Sequence, residues 1–323
     1  MDFWNLAIKI VFLSQTTTGI WGNFSLMVCY LGLYYRECKL KPTDLILMHL
    51  MAANALIIFS AGVPQTMAVW GLKQFLTDFG CKFILYIQRT ARSVSMGTTC
   101  LLSVFQAVTI NPRKSCWSDH KSQAEKYIGS CLFIIWIFYL LINFIFFVYT
   151  FSKRITNNGT RKRDFEYCST VGSDPISDAL YAALVVCPEV FLSVLIAWSS
   201  GSMIVLLFRH KQVVQHTHST HNSSRTSLES RATENILSLV SIFFCFYTLS
   251  SFLRRCIALL SKHNWWLVNI TALISLCFPS FGPFVLMNHY SVMPRLSLFW
   301  IRNNLSFSYF HYLSDIFCLV STG

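Results

Sequence analysis

Two arginines stand inside an apolar run long enough to cross a bilayer, and that restricts what this chain can fold into. The run is Cys81–Thr109, 29 residues, where about 20 helical residues span the hydrocarbon core. Arg89 and Arg92 lie about a third of the way along it or further. A charge near the bilayer centre costs roughly 2.5–3.5 kcal/mol on insertion scales. A helix carrying two of them should be interior to a bundle and line a cavity. Gln88, Arg92, Ser95, Thr99 and Gln106 recur at steps of three, four and seven, which puts them on one helical face.

The rest of the chain supplies the bundle. Its apolar runs read as seven spans, at about 6–33, 45–69, 81–109, 126–149, 180–208, 233–259 and 265–288. Of the 323 residues 54% are hydrophobic and only 12% charged, against about 25% charged in a soluble protein. The expected fold is therefore an all-α membrane protein, a seven-transmembrane helix bundle over residues 1–303, followed by an atypical apolar tail, 304–323. The net charge of +12 sits mostly in loops and points to anionic lipid headgroups, not nucleic acid. Most of the twelve cysteines fall within apolar runs and read as small buried hydrophobes. No Cys-x-x-Cys pair occurs, which speaks against structural zinc. His210, His216, His218 and His221 share one Ser/Thr-rich loop, but no carboxylate or cysteine completes a metal geometry.

Orientation rests on span one. Lys9 precedes most of it, whereas Arg36, Lys39 and Lys41 follow it, so the N-terminus is expected outside. The run starts almost at Met1 with no basic segment before it, and reads as a signal anchor. Basic residues in the loop 150–180 weaken the charge rule elsewhere. That loop also holds Asn158-Gly159-Thr160, an N-glycosylation sequon that only an outside loop can use. Cys168 lies in the same loop and Cys81 opens span three on the same face. Two cysteines on the oxidising side are compatible with a disulfide.

Glu189 is the other conspicuous intramembrane charge. Glu189 and Arg89 each lie about eight residues from the outer end of their spans, hence about 12 Å deep. They are candidates for a buried ion pair. Alternatively Arg89 or Arg92 is left to receive an anionic ligand, since a guanidinium forks onto sulfate, phosphate or carboxylate. A purely structural role, with backbone carbonyls and water as partners, is the third reading. Asn23, Asn54 and His49 are placed to join helices by hydrogen bonds. Pro64, Pro188, Pro279 and Pro283 fall within spans and each frees a backbone carbonyl. No catalytic motif and no inverted repeat is present. The pattern favours a receptor over an enzyme; the competing class is a transporter or channel for small anionic solutes.

The chain resembles the vomeronasal type 1 receptors, a family of G-protein-coupled pheromone receptors. The resemblance is carried by Gly22-Asn23-Phe24-Ser25, Thr43-Asp44-Leu45-Ile46-Leu47 and Val63-Pro64-Gln65-Thr66-Met67. Thr98-Thr99-Cys100-Leu101-Leu102-Ser103, Tyr247-Thr248-Leu249-Ser250-Ser251 and Pro283-Phe284-Val285-Leu286-Met287 continue it. It spans about residues 5–303. It implies a Cys81–Cys168 disulfide, glycosylation at Asn158 and a small-molecule chemosignal, for which sulfated steroids are a fitting class. It further implies coupling to an inhibitory-class heterotrimeric G protein at the plasma membrane of vomeronasal or olfactory neurons.

On this reading Gln88, Arg89, Arg92 and Glu189 make the polar ligand contacts. Gln106, Arg113, Lys114, Arg209 and Arg231 lie toward the G protein, although attraction to anionic lipid accounts equally well for the basic ones. The wider rhodopsin-like class carries Asp-Arg-Tyr where this chain has Phe105-Gln106-Ala107, and Asn-Pro-x-x-Tyr where it has Gly282-Pro283-Phe284-Val285-Leu286. Asn54 stands where that class has an aspartate. The activation switch of that class therefore does not transfer.

Overall fold

The computed structural model describes residues 3–37, 41–72, 75–110, 117–153, 162–165, 168–171, 182–216, 238, 240–253, 256 and 265–289. Helix α1 is Phe3–Glu37. The second span is split: α2 (Pro42–Ile57), a π turn (Ile58–Gly62) and α3 (Val63–Val69) follow without a break. Then come α4 (Asp78–Ile110), α5 (Trp117–Lys153) and α6 (Cys187–His216), the last entered through a second π turn, Ala182–Val186. Helix α7 is described over Val240–Leu253, and α8 is Trp265–His289. Several helices run past the expected spans because backbone hydrogen bonding does not stop where the hydrocarbon does.

The all-α expectation needs one correction. In the loop before α6, β1 (Lys162–Phe165) pairs antiparallel with β2 (Cys168–Val171), with Phe165 opposite Cys168. Pairing with each other satisfies backbone groups that this polar segment cannot place in a helix.

Among the described residues four segments are long and apolar enough to cross a membrane: Pro42–Val69, Tyr127–Ile145, Cys187–Val205 and Trp266–Leu286. Helices α1 and α4 fall outside that group; α1 exposes Ser14, Thr17 and Thr18, whose hydroxyls return to carbonyls of their own helix, while other polar residues of both helices face inward. Gln15, Thr16 and Asn23 of α1 are buried, as are Arg92, Ser95, Thr98 and Thr99 of α4. Helix α4 is the interior one, as the arginines required. It packs against α2, α5 and α6, and every residue from Thr90 to Cys100 is buried. Helix α5, by contrast, exposes Phe133, Ile134, Phe144 and Ile145, an apolar face suited to lipid.

Two of the prolines within spans follow a widened turn of the backbone. Proline lacks the N–H that would bond four residues back, and its ring crowds that carbonyl. The π turn ends just before Pro64, where the Val63 N–H reaches back to the Ile58 carbonyl. A wider turn makes room at that point. The turn Ala182–Val186 stands in the same relation to Pro188.

Helix α8 solves the problem from outside itself. Pro283 leaves the Pro279 carbonyl without its helical donor. Asn23 Nδ2 of α1 donates to that carbonyl at 2.8 Å, and also to Gly19 O at 2.8 Å. The two helices come close enough because α1 presents glycines there. A Cβ on Gly22 would stand 3.0 Å from Pro283 Cβ, and one on Gly19 2.5 Å from Ile58 Cδ1. Asparagine within a span thus joins α1 to α8, by satisfying a backbone group.

The Asn23 bond makes a prediction about coupling. Asn23→Ala should destabilise the purified protein by about 1–3 kcal/mol, the cost of an orphaned buried acceptor. Pro283→Ala restores the missing N–H, so Asn23→Ala should cost clearly less in that background. Additive losses in thermal unfolding would mean that Asn23 does not serve the Pro279 carbonyl.

Candidate functional site

The polar face of α4 resolves into two kinds of residue. Thr99 Oγ1 donates to Ser95 O at 2.8 Å and Ser103 Oγ to Thr99 O at 2.9 Å. These hydroxyls are satisfied within their own helix, four residues back. Ser95 instead reaches out, its Oγ donating to Asn54 Oδ1 of α2 at 3.0 Å. Arg92 reaches further still.

Arg92 is only 8% exposed. Its Nη2 donates to Ser250 Oγ of α7 at 3.4 Å, a long bond. Its guanidinium carbon lies 5.0 Å from the centre of the Tyr247 ring, within cation–π range. Tyr247 and Ser250 are three residues apart, so they share a face of α7. Arg92 and Ser95 line a cleft completed by Phe243, Phe246, Tyr247 and Ser250 of α7 and by Ser275, Phe278 and Pro279 of α8, with Ile57 of α2 at one side. A single charge thus sits in a setting of aromatic rings and small hydroxyls.

The other expected ligand contacts are placed differently. Gln88 and Arg89 are half-buried, and neither is among the described residues lining this cleft. Arg89 does have an interaction partner. Glu189, also half-buried, is within electrostatic reach of Tyr139 on α5. The aromatic wall and Ser250 did not stand out as site residues in sequence. The signal available was Phe243, Tyr247 and Ser250 at steps of four and three on one apolar helix, a spacing that also fits ordinary core packing.

At the N-terminal end of α4, Cys81 is fully buried and disulfide-bonded. Strand β2, which begins at Cys168, packs against the same helix. Asn158 lies outside the described residues, as do Arg113, Lys114 and Arg231. Arg209 lies on α6 near its C-terminal end. Gln106, near the C-terminal end of α4, is 7% exposed and so faces into the bundle. Of the other helix-joining residues, His49 Nδ1 accepts from Trp136 Nε1 of α5 at 3.1 Å. At the outer end Gln65 Nε2 donates to Asn269 Oδ1 at 3.1 Å, joining α3 to α8.

A model of the vomeronasal organ pheromone receptor family matches residues 6–298. Human vomeronasal type-1 receptor 2 is 46% identical over 295 residues, 91% of this chain and 75% of that receptor. Vomeronasal type-1 receptor 4 of Pongo pygmaeus is 46% identical over 290 residues, 90% of this chain and 96% of its own length. More distantly, olfactory receptor class A-like protein 1 of Danio rerio is 28% identical over 284 residues, 86% of this chain and 88% of its own.

The contact between Arg92 and Tyr247 can be measured by a double-mutant cycle. Arg92→Gln and Tyr247→Leu, read by thermal unfolding, should couple by about 0.5–2 kcal/mol. Additivity would place the guanidinium away from the ring.

Proposed function

This chain belongs to the vomeronasal type 1 receptor family, a family of chemosensory receptors, and from that premise we propose that it is a G-protein-coupled receptor for a small-molecule pheromone bound in the Arg92 cleft. The observation that carries the site is a buried guanidinium, held by one long hydrogen bond and one aromatic face, between α4, α7 and α8. The aromatic rings suit a rigid apolar body and the guanidinium one anionic group, the chemistry of a sulfated steroid; because the cleft at rest has a cavity volume of only about 20 Å³, the bundle must widen to admit one. Gln88, Arg89 and Glu189 then act at the outer entrance to the cleft.

The topology that goes with this is seven spans, N-terminus outside, in the plasma membrane. A disulfide at Cys81 belongs on an oxidising face, which supports an extracellular start for α4 and, counting back through the spans, for α1. Cys168 is the proposed partner and Asn158 the proposed glycosylation site. Ligand binding has to favour one bundle arrangement over another, because a ligand shifts an equilibrium only by its differential affinity. The arrangement selected exposes the inner ends of α4, α6 and α7 to a heterotrimeric G protein of the inhibitory class. Gln106 is buried at rest, so it enters that surface only when the bundle opens. Arg113, Lys114, Arg209 and Arg231 flank the same surface and face anionic lipid.

Two measurements test this reading. In cells expressing the receptor, Arg92→Ala should weaken responses to steroid sulfates by about tenfold to a hundredfold, the value of a charged hydrogen bond. Arg89→Ala should act in the same direction. Responses to neutral agonists should fall much less, and equal losses would assign the arginines to the fold. The transporter reading predicts ligand-dependent flux of solute in cells lacking the partner G protein. The receptor reading predicts no flux there, and its signal should vanish with the G protein.

A further inference from the structure

We propose that Arg92 binds a small inorganic anion, chloride in the cell, in the ligand-free receptor, and that the anionic end of the ligand displaces it. The displacement rests on the reading of the cleft as the ligand site; the anion site itself rests on the balance of donors and charge around Arg92.

A guanidinium carries five N–H donors. Arg92 uses one of them, in a bond of 3.4 Å, and covers one face with the Tyr247 ring. The neighbouring hydroxyls are already committed. Ser250 Oγ gives its proton to Tyr247 O at 2.9 Å, Ser95 Oγ to Asn54 Oδ1 at 3.0 Å and Ser275 Oγ to Ala272 O at 2.8 Å. None of these groups is charged, and no carboxylate is among the described residues lining the cleft. Beside Ser95, Asn54 is fully buried and its Nδ2 has no hydrogen-bond partner. Pro279 adds one acceptor, the Ser275 carbonyl that lacks its helical donor, against the remaining guanidinium N–H groups and the Asn54 amide, so donors still outnumber acceptors and the positive charge is uncompensated among the described lining residues.

A water molecule would satisfy some of the donors and none of the charge. A halide satisfies both, accepting from several N–H groups at once without requiring a fixed direction. A dianionic oxyanion demands more free donors than one guanidinium and one amide offer, since the hydroxyl protons are spent. A monovalent anion therefore fits the site best. The ligand's anionic group enters the same place, so ligand affinity should depend on the anion present.

The test uses the purified full-length receptor, without ligand, in detergent. Its thermal midpoint is followed as sodium chloride replaces sodium gluconate at constant ionic strength. The expected result is a saturable rise of about 2–4 °C. Arg92→Gln should abolish the rise, and Arg92→Lys, which keeps the charge, should retain a weaker one. Equal midpoints in the two salts would overturn the proposal in favour of water alone. An unchanged chloride effect in Arg92→Gln would also overturn it, by placing the anion elsewhere. A steroid sulfate is then titrated in each salt, and should stabilise the receptor at several-fold lower concentration in gluconate than in chloride. Equal potency in both salts, with the ligand-free chloride effect intact, would overturn the displacement and the ligand reading while leaving the anion site standing.

Discussion

The structure depends on one requirement: in hydrocarbon every backbone polar group must find a partner within the protein. Prolines make that requirement visible. Pro283 removes the donor for the Pro279 carbonyl, and a side chain from another helix replaces it. That replacement sets the distance between α1 and α8, and the distance in turn accounts for Gly19 and Gly22, where any side chain would meet Ile58, Ser280 or Pro283. One missing N–H thus organises a whole helix interface. At Pro64 and Pro188 the backbone meets the same difficulty by widening its own turn.

Helix α4 obeys the same requirement with side chains. Part of its polar face needs no second helix, because Thr99 and Ser103 return their protons to carbonyls one turn back. What a single helix cannot satisfy is a guanidinium with five donors. Arg92 draws in α7 through Ser250 and Tyr247, and α8 closes the cleft. The polar stripe and the binding site are therefore different objects: Thr99 is satisfied within its own helix, and the site begins at Arg92 and Ser95, which are not.

Much of this was legible along the chain. The interior position of α4 followed from its arginines, whereas the apolar runs did not fix where helices end: α5 begins at Trp117 and α6 continues to His216, both past the runs that suggested them. Asn23 was readable as a residue that joins helices. The expectation for the outer loop missed the β1–β2 hairpin, because a short polar segment between two spans carries no period long enough to read. The pairing suggested for Arg89 and Glu189 rested on equal depth and on the need of both charges for partners, and stays one of the open readings. Depth is only one coordinate, and the rotation of each helix about its axis decides the neighbours: Glu189 comes within reach of Tyr139.

By itself, then, the sequence determined which segments are helical and apolar, which face of α4 is polar and which carbonyls the prolines would orphan, since these follow from hydropathy and from the local covalent geometry of each residue. Only the tertiary structure decided who answers each demand: Asn23 for the Pro279 carbonyl, Tyr247 and Ser250 for Arg92, Asn54 for Ser95. Those choices depend on how closely helices far apart in sequence approach and how each is turned. Both are set by packing between helices, and no local pattern in a single run encodes them.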